Sequence, residues 1–160
     1  MNFRIGIGID VHKLVDNHPF WLGGILIPHY KGAFGHSDAD TLIHAICDAL
    51  LGASNLGDIG KLFPDSDNKY KNIDSKILLK QTVDLVTSKG FSIVNIDATI
   101  SLEKPKISKY IPEMKAVLSN VIGISTDVIS IKATTTEKLG FVGNEEGIKV
   151  DAICLLNKNS

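Results

Sequence analysis

Apolar positions along the chain follow two rhythms that succeed one another. Phe3 to Val11, Trp21 to Ile27, Phe91 to Leu102, Val128 to Thr136 and Gly147 to Leu156 are short segments predicted as strands, the second interrupted by Gly23-Gly24. Ala39 to Ala53 changes to helical spacing, with Leu42, Ile43, Ala45, Ile46, Ala49, Leu50 and Ala53 on one wide face and Asp38 as the predicted cap. A second helix is predicted from Ser75 to Lys89, capped by Asp74 and stopped by Gly90. A third takes Pro112 into its first turn and ends before Gly123. Residues 31–37 and the stretch Leu56 to Tyr70, with its glycines, Pro64 and aspartates, read as loops, and Pro105 breaks the chain after the Phe91 strand. Alternation of strand and helix without a linker or repeat predicts an α/β (α+β) fold. We expect a two-layer sandwich with a mixed β-sheet, in a single domain over residues 1–160.

Composition narrows the classes of partner. Of 160 residues, 44% are apolar and 22% charged, enough for one packed core. Seventeen basic against eighteen acidic residues leave a formal charge of −1, so no global field draws the chain to nucleic acid or an anionic membrane. Apolar runs are too short and interrupted for a membrane span, and the segment Met1 to Gly6 lacks the features of a signal peptide. Cys47 and Cys154 have no metal-like spacing and are expected as buried thiols. The expected location is cytoplasmic.

Chemistry-bearing residues cluster in four places. Asp10 and His12, two apart on a predicted strand, leave the same face about 6.6 Å apart along the chain. Asp40, His44 and Asp48 stack on one polar stripe of the first helix, which makes His44 a candidate third ligand with either aspartate available to orient its second ring nitrogen. One carboxylate and two imidazoles suit zinc and leave a fourth position open. The bland alternative is a turn at Asp10 and a satisfied helix residue at His44. Gly35-His36-Ser37-Asp38 stands where free backbone N–H groups and a helix dipole favour phosphate, or it is simply a capped helix start. Asp58, between Gly57 and Gly60, and Asp65 and Asp67 beyond them lie in a loop able to bind hydroxyls or calcium, without EF-hand spacing, or to stay solvated. Lys132 to Lys138, with three threonines and Glu137, fits either a strand end or a diphosphate pocket whose Glu137 holds a divalent cation. Gly6-Ile7-Gly8 lacks the third glycine of a dinucleotide fingerprint, and there is no P-loop pattern.

Together, Gly8-Ile9-Asp10-Val11-His12, His36-Ser37-Asp38, His44-Ala45, Asp48 to Gly52, Gly57 to Asp65, Pro105-Lys106 and Lys132 to Phe141 resemble the cyclodiphosphate synthases of the non-mevalonate isoprenoid pathway over essentially the full length. The resemblance implies a zinc-dependent ring closure that converts 4-diphosphocytidyl-2-C-methyl-D-erythritol 2-phosphate to 2-C-methyl-D-erythritol 2,4-cyclodiphosphate with release of CMP. It implies zinc on Asp10, His12 and His44, and a second divalent cation, Mg2+ or Mn2+, on Glu137. His36 and Thr135 match positions that stabilise the transition state. Substrate contacts fall to Asp10, His12, His36, Ser37, Asp58, Gly60, Phe63, Asp65 and Asp67, with Pro105, Lys106, Thr134, Thr135, Thr136, Glu137 and Phe141. The family also implies a homotrimer with active sites between subunits. One departure is Asn144, at a position where some members carry an arginine that meets an isoprenoid diphosphate; here that bidentate grip is missing. From the residues alone, a metal-dependent phosphohydrolase and a binding protein with a structural zinc remain open rivals.

Overall fold

The computed structural model describes residues 2–64 and 66–159. Five strands form one mixed sheet in the order β4 (Lys31–Phe34), β1 (Phe3–Asp16), β7 (Gly147–Lys158), β5 (Phe91–Ser101), β6 (Ile129–Thr134). Only β5 and β6 run parallel. A small hairpin of β2 (Trp21–Leu22) and β3 (Ile25–Leu26) turns on Gly23 and Gly24, both at positive φ (62° and 79°), the conformation a tight hairpin turn requires.

Three helices, α1 (Thr41–Ala53), α3 (Ser75–Ser88) and α4 (Ile111–Ile122), cover one face of the sheet. Alternation along β7 shows which face: Ile148, Val150, Ala152, Cys154 and Leu156 are buried, while Ile153 between them is exposed. Almost every residue of α1 is buried, because β1 and β7 lie on one side of it and α3 on the other. Close approach is possible because β1 presents glycine there. A Cβ on Gly8 would stand 1.9 Å from the Ala45 carbonyl oxygen, and one on Gly6 2.0 Å from that of Ala49. The opposite face of β1 is apolar and bare, with Ile5, Ile7, Ile9 and Val11 exposed.

Several boundaries differ from the sequence expectation. β1 continues past Val11 to Asp16, because residues 31–34, read as loop, pair with its end as β4, from Lys13 opposite Phe34 to Asp16 opposite Lys31. Lys-Gly-Ala-Phe carries too little periodicity to announce a strand; its partner supplies the order. The cap of α1 is Asp40 and not Asp38: Ala39 takes φ 56°, which turns the chain so that the Asp40 carboxylate accepts from Ile43 N. The stretch Leu56 to Tyr70 contains a short helix, α2 (Ile59–Leu62), and a 3₁₀ turn over Asn68–Tyr70. A further one-turn helix, α5 (Gly140–Gly143), precedes β7. α3 and α4 follow the reading closely, with Asp74 as cap, a proline in the first turn of α4 and Gly123 left-handed at its end. Cys47 and Cys154 are free and buried, and burial pushes their thiols up to about 12 and about 11. Among the described residues, no helix is long and apolar enough to cross a membrane.

Candidate metal centre

The two-residue period of β1 sends Asp10 and His12 to the side on which Gly6 and Gly8 touch α1. His44, in the first turn of α1, meets them there. Asp10 Oδ2 lies 3.0 Å from His12 Nε2 and 3.2 Å from His44 Nδ1, and the two ring nitrogens are 3.2 Å apart. Among the described residues this is the one group of three or more candidate ligands gathered in this way. Tetrahedral ligands about 2.0–2.1 Å from zinc are separated by about 3.3 Å, so the triangle has the size a divalent ion needs.

Hydrogen bonds on the far side of each ring support the same reading. His12 Nδ1 faces the Phe34 carbonyl at 3.0 Å, and His44 Nε2 faces Ser75 Oγ at 2.9 Å and Ser37 Oγ at 3.1 Å. Each imidazole thus has its outer nitrogen engaged and its inner nitrogen aimed at the common centre, as metal-binding histidines do. Gly35 lets the chain pass this close: a Cβ there would come within 2.7 Å of His12 Cε1. For Asp10, burial pushes the carboxyl up, but hydrogen bonds and charge from His12 and His44, when their imidazoles are protonated, outweigh it and hold the group well below the usual carboxylate range. For His12, burial works downward, and Asp10 with the Phe34 carbonyl reverses it, leaving the imidazole raised above 6.5. The donor set, one oxygen and two nitrogens with their outer atoms already bonded, fits zinc.

Neither aspartate on the α1 stripe orients His44. Asp40, fully buried, accepts from Gly23 N (2.9 Å), Gly24 N (2.6 Å) and Ile43 N (3.0 Å), tying the hairpin to the helix start. Asp48 accepts from Ile59 N at 2.7 Å and anchors α2. Ser75, at the start of α3, takes the role instead, a residue the sequence reading passed over; its only signal was its place beside the Asp74 cap.

The triad opens onto a cavity of about 250 Å³, also lined by His36, Ser37, Gly60, Phe63 and Tyr70. His36 Nε2 is buried there without a hydrogen-bond partner among the described residues. Its loop is pinned by Asn72 N donating to the His36 carbonyl (2.8 Å) and Asp38 N donating to that of Ile73 (3.1 Å). Asp58 caps α2 through Lys61 N, and Asp67 caps the following 3₁₀ turn through Lys69 N. Asp65 lies outside the described residues.

The remaining predicted positions stand elsewhere in the chain. Pro105, Lys106, Thr134 and Thr135 line a separate depression of about 160 Å³ between the end of β6 and the segment after β5. Thr136 donates its N–H to Glu103 (3.0 Å), and Glu137 stands exposed with Thr135 Oγ1 at 3.4 Å. Phe141, on α5, borders a shallow hollow with Val11 and Lys13.

Comparison with known proteins places this geometry in a family. The YgbB family profile matches residues 3–157. The 2-C-methyl-D-erythritol 2,4-cyclodiphosphate synthase of Bacteroides fragilis is 61% identical over 158 residues, covering 99% of either chain. Among solved structures, the bifunctional IspDF of Campylobacter jejuni superposes with a TM-score of 0.94 at 42% identity, covering 97% of this chain and 42% of that longer one. The IspF of Plasmodium falciparum, solved as a CDP complex, gives 0.88 at 34% identity, covering 99% and 98%. A match of this length and identity, over the very segments that build the triad, makes the chain a member of the YgbB family, among relatives that are 2-C-methyl-D-erythritol 2,4-cyclodiphosphate synthases.

Proposed function

We propose that this chain carries out the reaction for which its relatives are named: ring closure of 4-diphosphocytidyl-2-C-methyl-D-erythritol 2-phosphate to the 2,4-cyclodiphosphate, with CMP as leaving group. The observation that carries the reading is the triangle of Asp10, His12 and His44 opening on a cavity whose other polar side chains can donate hydrogen bonds. Zinc held by these three residues would supply positive charge and a vacant coordination position for phosphate oxygen.

The chain's own residues then have definable tasks. The nucleophile is a phosphate monoester, with a second pKa near about 6, so it arrives largely dianionic and needs no general base. Attack is intramolecular; holding the substrate folded contributes about 7–11 kcal/mol in well-oriented cases. Ser37 and the Nε2 of His36, which has no hydrogen-bond partner among the described residues, position the attacking and transferring phosphates, and His36 offsets charge developing on them. Gly60 and Phe63 shape the sugar side, with Asp58, Asp65 and Asp67 as expected hydroxyl acceptors. Thr134, Thr135, Pro105 and Lys106 bind the cytidine diphosphate arm, with Thr136 and Phe141 at the margins of that site, and Thr135 donates to the transferring phosphoryl group. Glu137 offers a single exposed carboxylate, so magnesium or manganese there would rely on substrate phosphates for its other ligands.

Since the triad cavity and the threonine depression are separate in one chain, the complete site is formed between copies. The bare row of Ile5, Ile7, Ile9 and Val11 supports burial of this sheet face in a homotrimer. Each copy, a single catalytic unit over residues 1–160, would lend its groove to a neighbour's metal pocket. Incubation of the purified protein with the cytidine-linked substrate, with and without chelator, tests the proposal. CMP and the cyclic diphosphate are expected only without chelator. Release of inorganic phosphate or a linear monophosphate would indicate hydrolysis instead.

A further inference from the structure

We propose that Asp38 and Ser75 are positioning residues that lock His44 in its Nε2–H tautomer, keeping the Nδ1 lone pair aimed at the metal position. The two histidines of the centre use opposite ring atoms: His12 faces the middle with Nε2, His44 with Nδ1. For His12 the tautomer is settled by its outer partner, because the Phe34 carbonyl can only accept and Nδ1 must donate to it. His44 has no such partner. Its outer Nε2 meets the hydroxyls of Ser75 and Ser37, and a hydroxyl either donates or accepts.

Asp38 resolves the choice. Its Oδ2 accepts from Ser75 N at 2.9 Å, its Oδ1 accepts from Asp40 N at 3.2 Å, and Oδ1 also makes a short contact with Ser75 Oγ. Between Ser75 Oγ and a carboxylate oxygen the hydrogen must come from the serine. That commits the Ser75 O–H to Asp38 and leaves only lone pairs toward His44, so Nε2 donates across 2.9 Å. Ser75 is fully buried, and no bulk water competes for either contact. The reverse arrangement would place a hydrogen on Nδ1, where Asp10 Oδ2 at 3.2 Å would accept it and the lone pair a cation needs would be lost; against that pull, it would leave Ser75 Oγ and Nε2 facing each other lone pair to lone pair at 2.9 Å. The chain Asp38, Ser75, His44 therefore links the loop before α1 and the first residue of α3 to a ligand on α1, across 31 residues of sequence.

The inference rests on the metal site proposed above, and its test separates the two. Long-range ¹H–¹⁵N spectra of the metal-free protein at alkaline pH, where imidazoles are neutral, report the His44 tautomer without any metal. The wild type is expected to show Nε2 protonated and Nδ1 bare. Ser75→Ala and Asp38→Asn are expected to give mixed or inverted signals, since asparagine cannot accept at both of the positions Asp38 uses. Zinc titration should then show affinity lowered about 10–100-fold in both variants, with Ser75→Thr regaining most of it. Circular dichroism identifies any variant that fails to fold, in which case the wild-type tautomer alone decides. A wild-type His44 protonated on Nδ1 overturns the lock, as do variants that keep both tautomer and zinc affinity. A wild type with the Nε2–H tautomer that binds no zinc leaves the lock standing and removes the metal reading.

Discussion

Around Asp10, His12 and His44 each imidazole is held from behind, by the Phe34 carbonyl in one case and Ser75 in the other, and the backbone is packed so tightly that β1 needs glycine to pass α1. The depression at the end of β6 is built differently. Thr134, Lys106 and Glu137 stand exposed, and the loop over Thr136 to Lys138 is held chiefly by Glu103, which accepts from Thr136 N and Lys138 N. Glu137 and Lys138 also adopt positive φ, 53° and 63°, a left-handed pair that costs roughly 1–2 kcal/mol per residue. One region is complete within a single chain; the other is an exposed surface carrying a strained loop. The contrast indicates that the metal pocket is set during folding, whereas on the proposed function the nucleotide groove would be completed only by assembly.

Removing a ligand should expose that contrast most strongly. His44→Ala is expected to lower zinc affinity by more than the roughly 100-fold typical of outer-shell changes, with activity falling alongside and subunit association intact. A metal-free variant of full activity would remove the triad from the mechanism. Thr135→Ala should leave zinc content unchanged and lower kcat about 10²-fold, the scale of one lost preorganised donor. Mixing the His44→Ala and Thr135→Ala chains should restore activity above that of either alone, because some neighbouring pairs then contribute one intact pocket and one intact groove. No recovery would place both half-sites within a single chain. Glu103→Ala, which frees the strained loop, is expected to raise KM about tenfold, equivalent to about 1.4 kcal/mol, with zinc affinity unaffected.

The smallest effect is a pH dependence confined to the pocket. His12 is raised above 6.5, so in the metal-free protein its proton competes with a cation as pH falls through that raised value. Zinc affinity should drop by at least about tenfold per pH unit below it. Asp10 lies well below the same window and stays ionised throughout it, so the carboxylate adds nothing to the slope, which comes from the imidazole ligands. Calorimetric titration across pH 5 to 8 (roughly, spanning the reference imidazole value) would measure it.

What could be read in the sequence depended on range. The strand period placed Asp10 and His12 on one side, and the helix period exposed His44, because both signals act over a few residues. Asp40 and Asp48 looked equally able to serve His44, and nothing local revealed that one is consumed by the Gly23-Gly24 turn and the other by α2. Ser75 reaches His44 only after α3 packs on α1, a tertiary event with no periodic trace. β4 escaped for the same reason, since its order comes from Lys13 to Asp16 across the sheet. The match of whole segments to the family carried the groove residues, which no periodicity singled out.

β1 has one further consequence. Its even-numbered residues from Gly6 to His12 face the helix and the metal position, and its odd-numbered ones from Ile5 to Val11 make the bare row. A single inserted or deleted residue upstream of Asp10 would therefore exchange the two sets, turning isoleucines toward the metal position and carboxylate and imidazole outward onto the bare face. The candidate metal pocket and the bare apolar face are written on the same short ribbon in alternate letters, and neither can be edited in length without scrambling the other.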